Sequence, residues 1–390
     1  MKYLKLGRED TLSFVFSDIK SLFFRNKKGL ITGIEKKYGP GETKPAWRNY
    51  LNAESNSIQR QSTIPGVVTR IIIYFFSAFM ITTVILPLFR KDHWTFRIFE
   101  FPRLQKLVLF GVLLISVYWL LPHTLVNISL MGLHIMAIVH LLYLIFPFTP
   151  LAPKALKGIR RKKASDPIKL LISNVYQPNK QYHKLVRHIK RHQPDLVLLV
   201  ETDQAWKEGM REIEKDYEQP LCLPLDNTYG MLLYTRLRIE DCELRYLVEE
   251  DIPSVKAFIY SEKGKQIRFY GLHPEPPSPT ENPYSTERDA ELLMVARECE
   301  QETRPIIVVG DLNDVAWSYT TDRFLRVSGL KDPRKGRGIF STFNARNILM
   351  LWPLDHVFCS RHFRLLKMRR LRSIGSDHFP VLIELSLEED

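Results

Sequence analysis

IKLLISNVYQPNKQYHKLVRHIKRHQPDLVLLVET, residues 168–202, holds two apolar runs separated by one helical repeat. The first, Ile168–Val175, is short and nearly continuous, which predicts a strand covered on both faces. Tyr182, Leu185, Val186 and Ile189 then recur at the spacing of a single helix face, with cationic residues between them. LVLLV at 196–200 gives the next strand, so the segment predicts a β-α-β unit. Each apolar run hands over to a polar residue: Asn174 near the end of the first, Glu201 just after the second.

Outward from this unit the same pattern repeats. MLLYT (231–235), IRFYGLH (267–273), IIVVG (306–310), LDHVFCS (354–360) and VLIELSL (381–387) predict further strands. A helix with Leu292, Val295, Ala296 and Cys299 on one face precedes the 306–310 run. Again the strand ends are polar. His273 follows IRFYGL, Asp311 and Asn313 follow IIVVG, Asp355 sits in LDHVF, and Asp377 and His378 open the last strand. A rigid sheet presents a site on adjoining loops in this way.

The residue types suit hydrolysis of a phosphate ester, which needs a hard cation with oxygen ligands, a base for water, and donors for the phosphoryl oxygens. Glu201 and Asp377 can supply carboxylate oxygens, while His273 and Asn313 can donate to phosphate. His378 is the natural base, with Asp355 to orient and charge-stabilise its ring. Singly, each has a structural reading, such as an Asx-turn at Asp311 or a turn former at Asn174. Their joint occurrence at strand ends carries the functional one.

The strings SNVYQPN (173–179), VLLVET (197–202), YGMLLYTR (229–236), GLHPEPP (271–277), VVGDLND (308–314), PLDHVF (353–358) and GSDHFPV (375–381) stand in order along about 220 residues. Together they resemble the motif series of the endonuclease/exonuclease/phosphatase superfamily, which includes DNase I, exonuclease III, neutral sphingomyelinases and inositol polyphosphate 5-phosphatases. The resemblance implies a four-layered α/β sandwich, two mostly antiparallel sheets flanked by helices, and a hydrolase that uses Mg²⁺ or Mn²⁺. It implies Asn174 and Glu201 at the metal with Asp377 beside it, His273 on the phosphate, and Asp355 paired with His378. Asp311 and Asn313 would place or activate the water and bind phosphate. Whether Asp311 or His378 takes the proton from water stays open. Many nuclease relatives carry an acidic residue two positions after the first-strand Asn; here that position is Tyr176, which leaves open one metal or two.

The N-terminal part is of another kind. Ile71–Phe89, Leu107–Leu121 and Leu125–Phe148 are nearly free of charge. The first and third reach the length of a membrane span, and the second does so by borrowing Leu104, Gln105 and Pro122. The first apolar stretch begins only at Ile71, which argues for retained anchors rather than a signal peptide. The expected organisation is a basic extension (1–66), a transmembrane region (67–150, spans about 71–89, 104–122 and 125–148), a polybasic linker (151–166) and a catalytic domain (167–390). Residues 11–24 could form an amphipathic surface helix or a simple extension.

Residues 1–165 hold 24 of the 56 Lys and Arg but 8 of the 43 Asp and Glu, a net +16, which leaves residues 166–390 at −3. The basic character therefore belongs to the anchor, which weakens a nucleic-acid-binding reading and favours attraction to anionic lipid. Cys222, Cys242, Cys299 and Cys359 are far apart with no CxxC pair, so free thiols are expected. Lys331–Arg337 (KDPRKGR) reads as a solvated charged loop, and Arg361–Arg372 as a strand with an exposed cationic face.

The expected protein is a multi-pass phosphoesterase of a bacterial inner or plasma membrane. Its substrate would be a phospholipid headgroup, a small phosphodiester or nucleic acid; the bilayer is a partner and no obligate protein partner is evident. A metal-dependent nuclease and a catalytically silent interaction protein are the alternatives. Cations near the spans put the catalytic domain inside by the positive-inside rule. The basic residues 1–66 and the resemblance to bacterial proteins with a similar three-span front end favour the outside, so the side stays open, with a lean to the extracytoplasmic face.

Overall fold

The apolar runs become strands of two sheets in the computed structural model, which describes residues 64–388; the 11–24 segment lies outside them. The strands are β1 (Asp166–Asn174), β2 (Leu196–Val200), β3 (Glu218–Leu223), β4 (Met231–Thr235), β5 (Ile239–Arg245), β6 (Ser254–Tyr260), β7 (Gln266–Leu272), β8 (Ile306–Asp311), β9 (Asp355–Cys359), β10 (Phe363–Arg370) and β11 (Val381–Leu387). One sheet runs β10-β11-β1-β2-β4-β3, the other β5-β6-β7-β8-β9. Only β1/β2 and β7/β8 pair in parallel, so both sheets are mostly antiparallel as expected.

Successive side chains on a strand face opposite ways, and this alternation builds the layers. Leu170 and Ile172 of β1 and Leu198 of β2 share the central core with Phe269 of β7 and Val309 of β8. Leu171, Val197 and Leu199 turn outward onto Leu185, Val186 and Ile189. These three come from helix Tyr182–His192. On the far side Tyr270 and Val308 pack against Leu292, Val295 and Phe324, which lie on helices Thr286–Gln301 and Tyr319–Ser328. The result is a four-layered α/β sandwich. Strands β3 and β5 escape the apolar pattern because they are sheet edges, and β5 carries Glu240, Asp241 and Glu243.

Helices α1 (Ile64–Ile85), α2 (Arg103–Leu120) and α3 (Leu125–Ile145) are the long apolar helices of the N-terminal region. Three stretches are long and apolar enough to cross a membrane: Gly66–Phe89, Arg103–Leu120 and Leu125–Phe148. Val108, Val112, Ile115, Trp119, Val139 and Tyr143 are exposed along them, an apolar surface suited to lipid. Arg97 of the connection before α2 pairs with Asp289 at 2.7 Å. The indole Nε1 of Trp317 donates to the carbonyl of Glu100 at 2.8 Å. Phe148 and Phe101 join Val315, Ala316, Trp317 and Leu354 in one cluster.

The basic stretch after α3 is also packed. Ile159 N donates to Leu365 O at 3.0 Å and Leu365 N to Lys157 O at 2.9 Å, covering the edge of β10. Leu156, 2% exposed, enters the inter-sheet core. The charged 331–337 loop is not solvated as expected. Asp332 and Arg334 are buried and paired at 2.8 Å, and the guanidinium also donates to the carbonyl of Asp355. The four cysteines are free, two of them buried.

Candidate active site

The site forms where β1, β2, β7 and β8 end and where β9 and β11 begin. Tyr176, Glu201 and Asn313 adopt φ of 55°, 59° and 49°, a left-handed backbone that costs a non-glycine residue about 1 kcal/mol. Glu201 directly follows β2, Tyr176 and Asn313 stand two residues beyond β1 and β8, and the kink aims the adjoining side chains across the sheet ends. Gly310, at φ 147°, is required by close approach: a Cβ there would sit 1.8 Å from Leu272 O on the parallel neighbour β7.

Asn174, the last residue of β1, ties the two sheets together. Its Nδ2 donates to Glu201 Oε1 at 2.6 Å and to Asp311 Oδ2 at 2.9 Å. Its Oδ1 accepts from Tyr176 N, and Ser376 Oγ donates to its carbonyl. Burial pushes the Glu201 carboxyl up to about 7, against the pull of the Asn174 amide. Asp377 also raises Glu201, which sets the Asp377 charge on this side of the site.

His378 stands between two carboxylates. Its Nδ1 lies 2.8 Å from Asp355 Oδ2 and its Nε2 3.4 Å from Asp311 Oδ2. Burial alone would lower the imidazole, but Asp355 and Asp311 outweigh it and raise the ring to about 10. Burial works on Asp311 in the opposite sense, yet His378 and His273 hold its carboxyl below the usual range. The three groups therefore share protons as a unit.

His273 is buried, with its Nδ1 lacking a hydrogen-bond partner among the described residues and the Tyr229 ring 5.4 Å away. Burial takes it down to about 4, so it is neutral at pH 7. Asn313 N donates to Asp311 Oδ1 at 3.0 Å and its Nδ2 to Pro274 O at 2.9 Å, linking the ends of β7 and β8. The structure thus brings together Asn174, Glu201, His273, Asp311, Asn313, Asp355, Asp377 and His378.

Supporting residues escaped the sequence reading. Phe343 lies 4.9 Å from the His378 ring, and Ala345 N bonds the carbonyl of Asp377. Buried Arg288 donates to Asn313 O at 2.8 Å and faces Asp314 at 3.6 Å. Its position four residues before Leu292, a charge on an apolar helix face, was the available signal. His356 is locked between Arg334 and the Asp314 carbonyl, and burial and Arg334 hold it well below its ordinary value.

Two overlapping groups could hold a cation. Asp311, Asp355 and His378 have ligand atoms within 4.8 Å of one another, but both ring nitrogens already face a carboxylate. The oxygen-rich side, where Glu201 and Asp311 converge on Asn174, is the better match for a hard cation. Among the described residues no Lys or Arg nitrogen lies within ion-pair distance of Glu201, Asp311, Asp355 or Asp377. A divalent cation fits that donor set as the counter-charge.

Residues 171–378 match the endonuclease/exonuclease/phosphatase family. No curated protein sequence matches the chain. Similar solved structures include a family protein from Bacteroides thetaiotaomicron, 18% identical, with TM-score 0.46, covering 57% of this chain and 98% of that one. A mannosyl-6-phosphatase from the same organism is 18% identical, with TM-score 0.46, covering 56% of this chain and 100% of that one. D. rerio TDP2 complexed with single strand DNA product is 14% identical, with TM-score 0.47, covering 57% and 100%.

Proposed function

The chain belongs to the endonuclease/exonuclease/phosphatase family, and from that premise we propose that it is a membrane-anchored, Mg²⁺- or Mn²⁺-dependent phosphodiesterase or phosphatase acting on a phosphate ester at the bilayer surface. That it is a metal-dependent hydrolase of phosphate esters follows from the family; the substrate and the roles below are the proposal.

Glu201, Asn174 and Asp377 would hold a divalent cation, which would supply neutralisation of charge on the phosphoryl group. His273, neutral at pH 7, and the Asn313 amide donate to phosphoryl oxygens. Water forms the new P–O bond as the ester P–O bond breaks. The proton leaving water is taken by the Asp311 and His378 pair, whose facing atoms are 3.4 Å apart. Asp355 fixes the ring through Nδ1 and stabilises the imidazolium. The leaving oxygen takes a proton back, which restores the pair.

One observation carries the membrane-surface reading. The loop that lays Phe343 on His378 continues into Ile348, 81% exposed, and Leu349, 75% exposed. Leu349 O accepts from Gln105 in the first turn of α2, so this apolar tip stands at the start of a membrane span. Purified full-length protein with Mg²⁺ should hydrolyse bis-p-nitrophenyl phosphate and phospholipid in preference to plasmid DNA. Nicking of plasmid with phospholipid left intact would establish the nuclease alternative, and no turnover of any of the three would establish the silent one. We further propose the extracytoplasmic face for the catalytic domain. Support comes from Arg97 ahead of the second span, which pairs with Asp289 at 2.7 Å and so counts less as a topogenic charge.

A further inference from the structure

A cavity of about 500 Å³ lies where the ends of the spans meet the loop after Asn313. Leu88, Leu141 and Leu144 line it from the spans, and Trp317 and Tyr319 line it from the catalytic domain. Arg103 and Lys106, in the first turn of α2, line it together with Arg90, Arg326 and Lys335. An apolar wall beside cations matches the two halves of an amphiphile.

The ion pairing inside the cavity is incomplete. Of its two acidic residues, Asp322 is engaged by Arg326 at 3.1 Å. Glu100 is divided between Arg97 at 3.8 Å and Arg103 at 3.9 Å, both long contacts. The Arg103 side chain is 8% exposed, and its Nη1 is buried with no hydrogen-bond partner among the described residues. Lys106, 4% exposed, donates to Thr83 O at 2.8 Å, a carbonyl that offers no charge. Two cations buried at the head of a membrane span with a fraction of one anion are costly, and such groups are normally paired. None of the residues proposed for catalysis lines the cavity.

We propose that this cavity is a binding site for the anionic headgroup of a phospholipid, held by Arg103 and Lys106 with its acyl chain along the apolar wall and separate from the catalytic centre. The phosphate would accept from Arg103 Nη1, the donor that the protein leaves unmet. The two-part lining favours a lipid over a free phosphate ion, because a free ion would use only the cationic end. Occupancy would brace Glu100 and hence Trp317, whose indole bonds the Glu100 carbonyl.

The test is the thermal unfolding of full-length protein, washed free of lipid in an uncharged detergent. Dioleoylphosphatidylglycerol, dioleoylphosphatidylcholine and inorganic phosphate are each titrated in. The expected result is a saturable rise in midpoint with phosphatidylglycerol alone, with half-saturation weakened at least tenfold in Arg103→Gln. Leu144→Trp fills the cavity without touching a charge and should also abolish the rise. It decides the matter if Arg103→Gln fails to fold. Equal rises with phosphatidylglycerol and phosphatidylcholine, a rise undiminished in Leu144→Trp, or an equal rise with inorganic phosphate would each overturn the proposal. The readout is binding, so its failure is distinguishable from failure of the catalytic reading.

Discussion

Asp355→Asn removes a charge from the His378 ring while leaving an amide of the same shape. The carboxylate oxygen lies 2.8 Å from Nδ1 in a buried pair. At an effective dielectric of about 20, two unit charges some 4 Å apart interact by roughly 4 kcal/mol. If that term acts on the imidazolium formed in the transition state, about 1.4 kcal/mol per tenfold gives a loss approaching three orders of magnitude in kcat/KM. The sign of the pH effect follows from the same charge. A carboxylate neighbour raises the imidazole, so removing it moves the rising limb of the pH-rate profile to lower pH. The assay is steady-state hydrolysis of bis-p-nitrophenyl phosphate by Asp355→Asn, His378→Ala and the double variant, with thermal unfolding to confirm folding. Because the residues act as a unit, the double variant should cost little more than the worse single one. If Asp311 rather than His378 accepts the proton, His378→Ala keeps a pH limb that Asp311→Asn erases. Multiplicative losses from Asp355 and His378 would refute the coupling.

Turnover should vanish in EDTA and return with Mg²⁺ or Mn²⁺; full activity in chelator would overturn the assignment of Glu201, Asn174 and Asp377. Glu291 is buried, its Oε1 has no hydrogen-bond partner among the described residues, and burial raises its carboxyl to about 8 despite Arg245. Its folded form binds a proton more tightly than the unfolded chain, so that stability is full below about pH 4.5 and lost as pH rises through about 8. Glu291→Gln should therefore unfold at a higher temperature than the parent at pH 9 and at a similar one at pH 4, and an equal gain at both would contradict this. A chain starting at residue 166 loses Leu156 from the core, a change of about 2–5 kcal/mol. At about 2–4 °C per kcal/mol it should melt roughly 10 °C below a chain starting at residue 151, and matching midpoints would show that the 155–161 stretch adds nothing.

The interior strands other than β6 were readable because they are apolar runs, and the site because its polar residues interrupt those runs at their ends; β6 (SVKAFIY) was missed because Ser254 and Lys256 break its apolar run. Strands β3 and β5 were not, since an edge strand needs no apolar run. Asp332 and Arg334 looked like a solvated loop because nothing local distinguishes a buried ion pair from an exposed one. Their burial depends on β9 and His356 arriving from elsewhere. The same holds for Arg97 and Asp289, 192 residues apart: each looks like an ordinary surface charge until the fold pairs them.

The cluster of Phe148 and Phe101 with Val315, Trp317 and Leu354 makes this anchor a keyed part rather than a generic tether. A foreign set of spans grafted ahead of the hydrolase would leave the Trp317 indole without its acceptor, Asp289 without Arg97, and an apolar socket open two residues from Asn313. Hydrolase and anchor are therefore expected to have changed together, each substitution on one face constraining its counterpart on the other. Transplanting the hydrolase to another membrane would succeed only with residues 90–150 carried along.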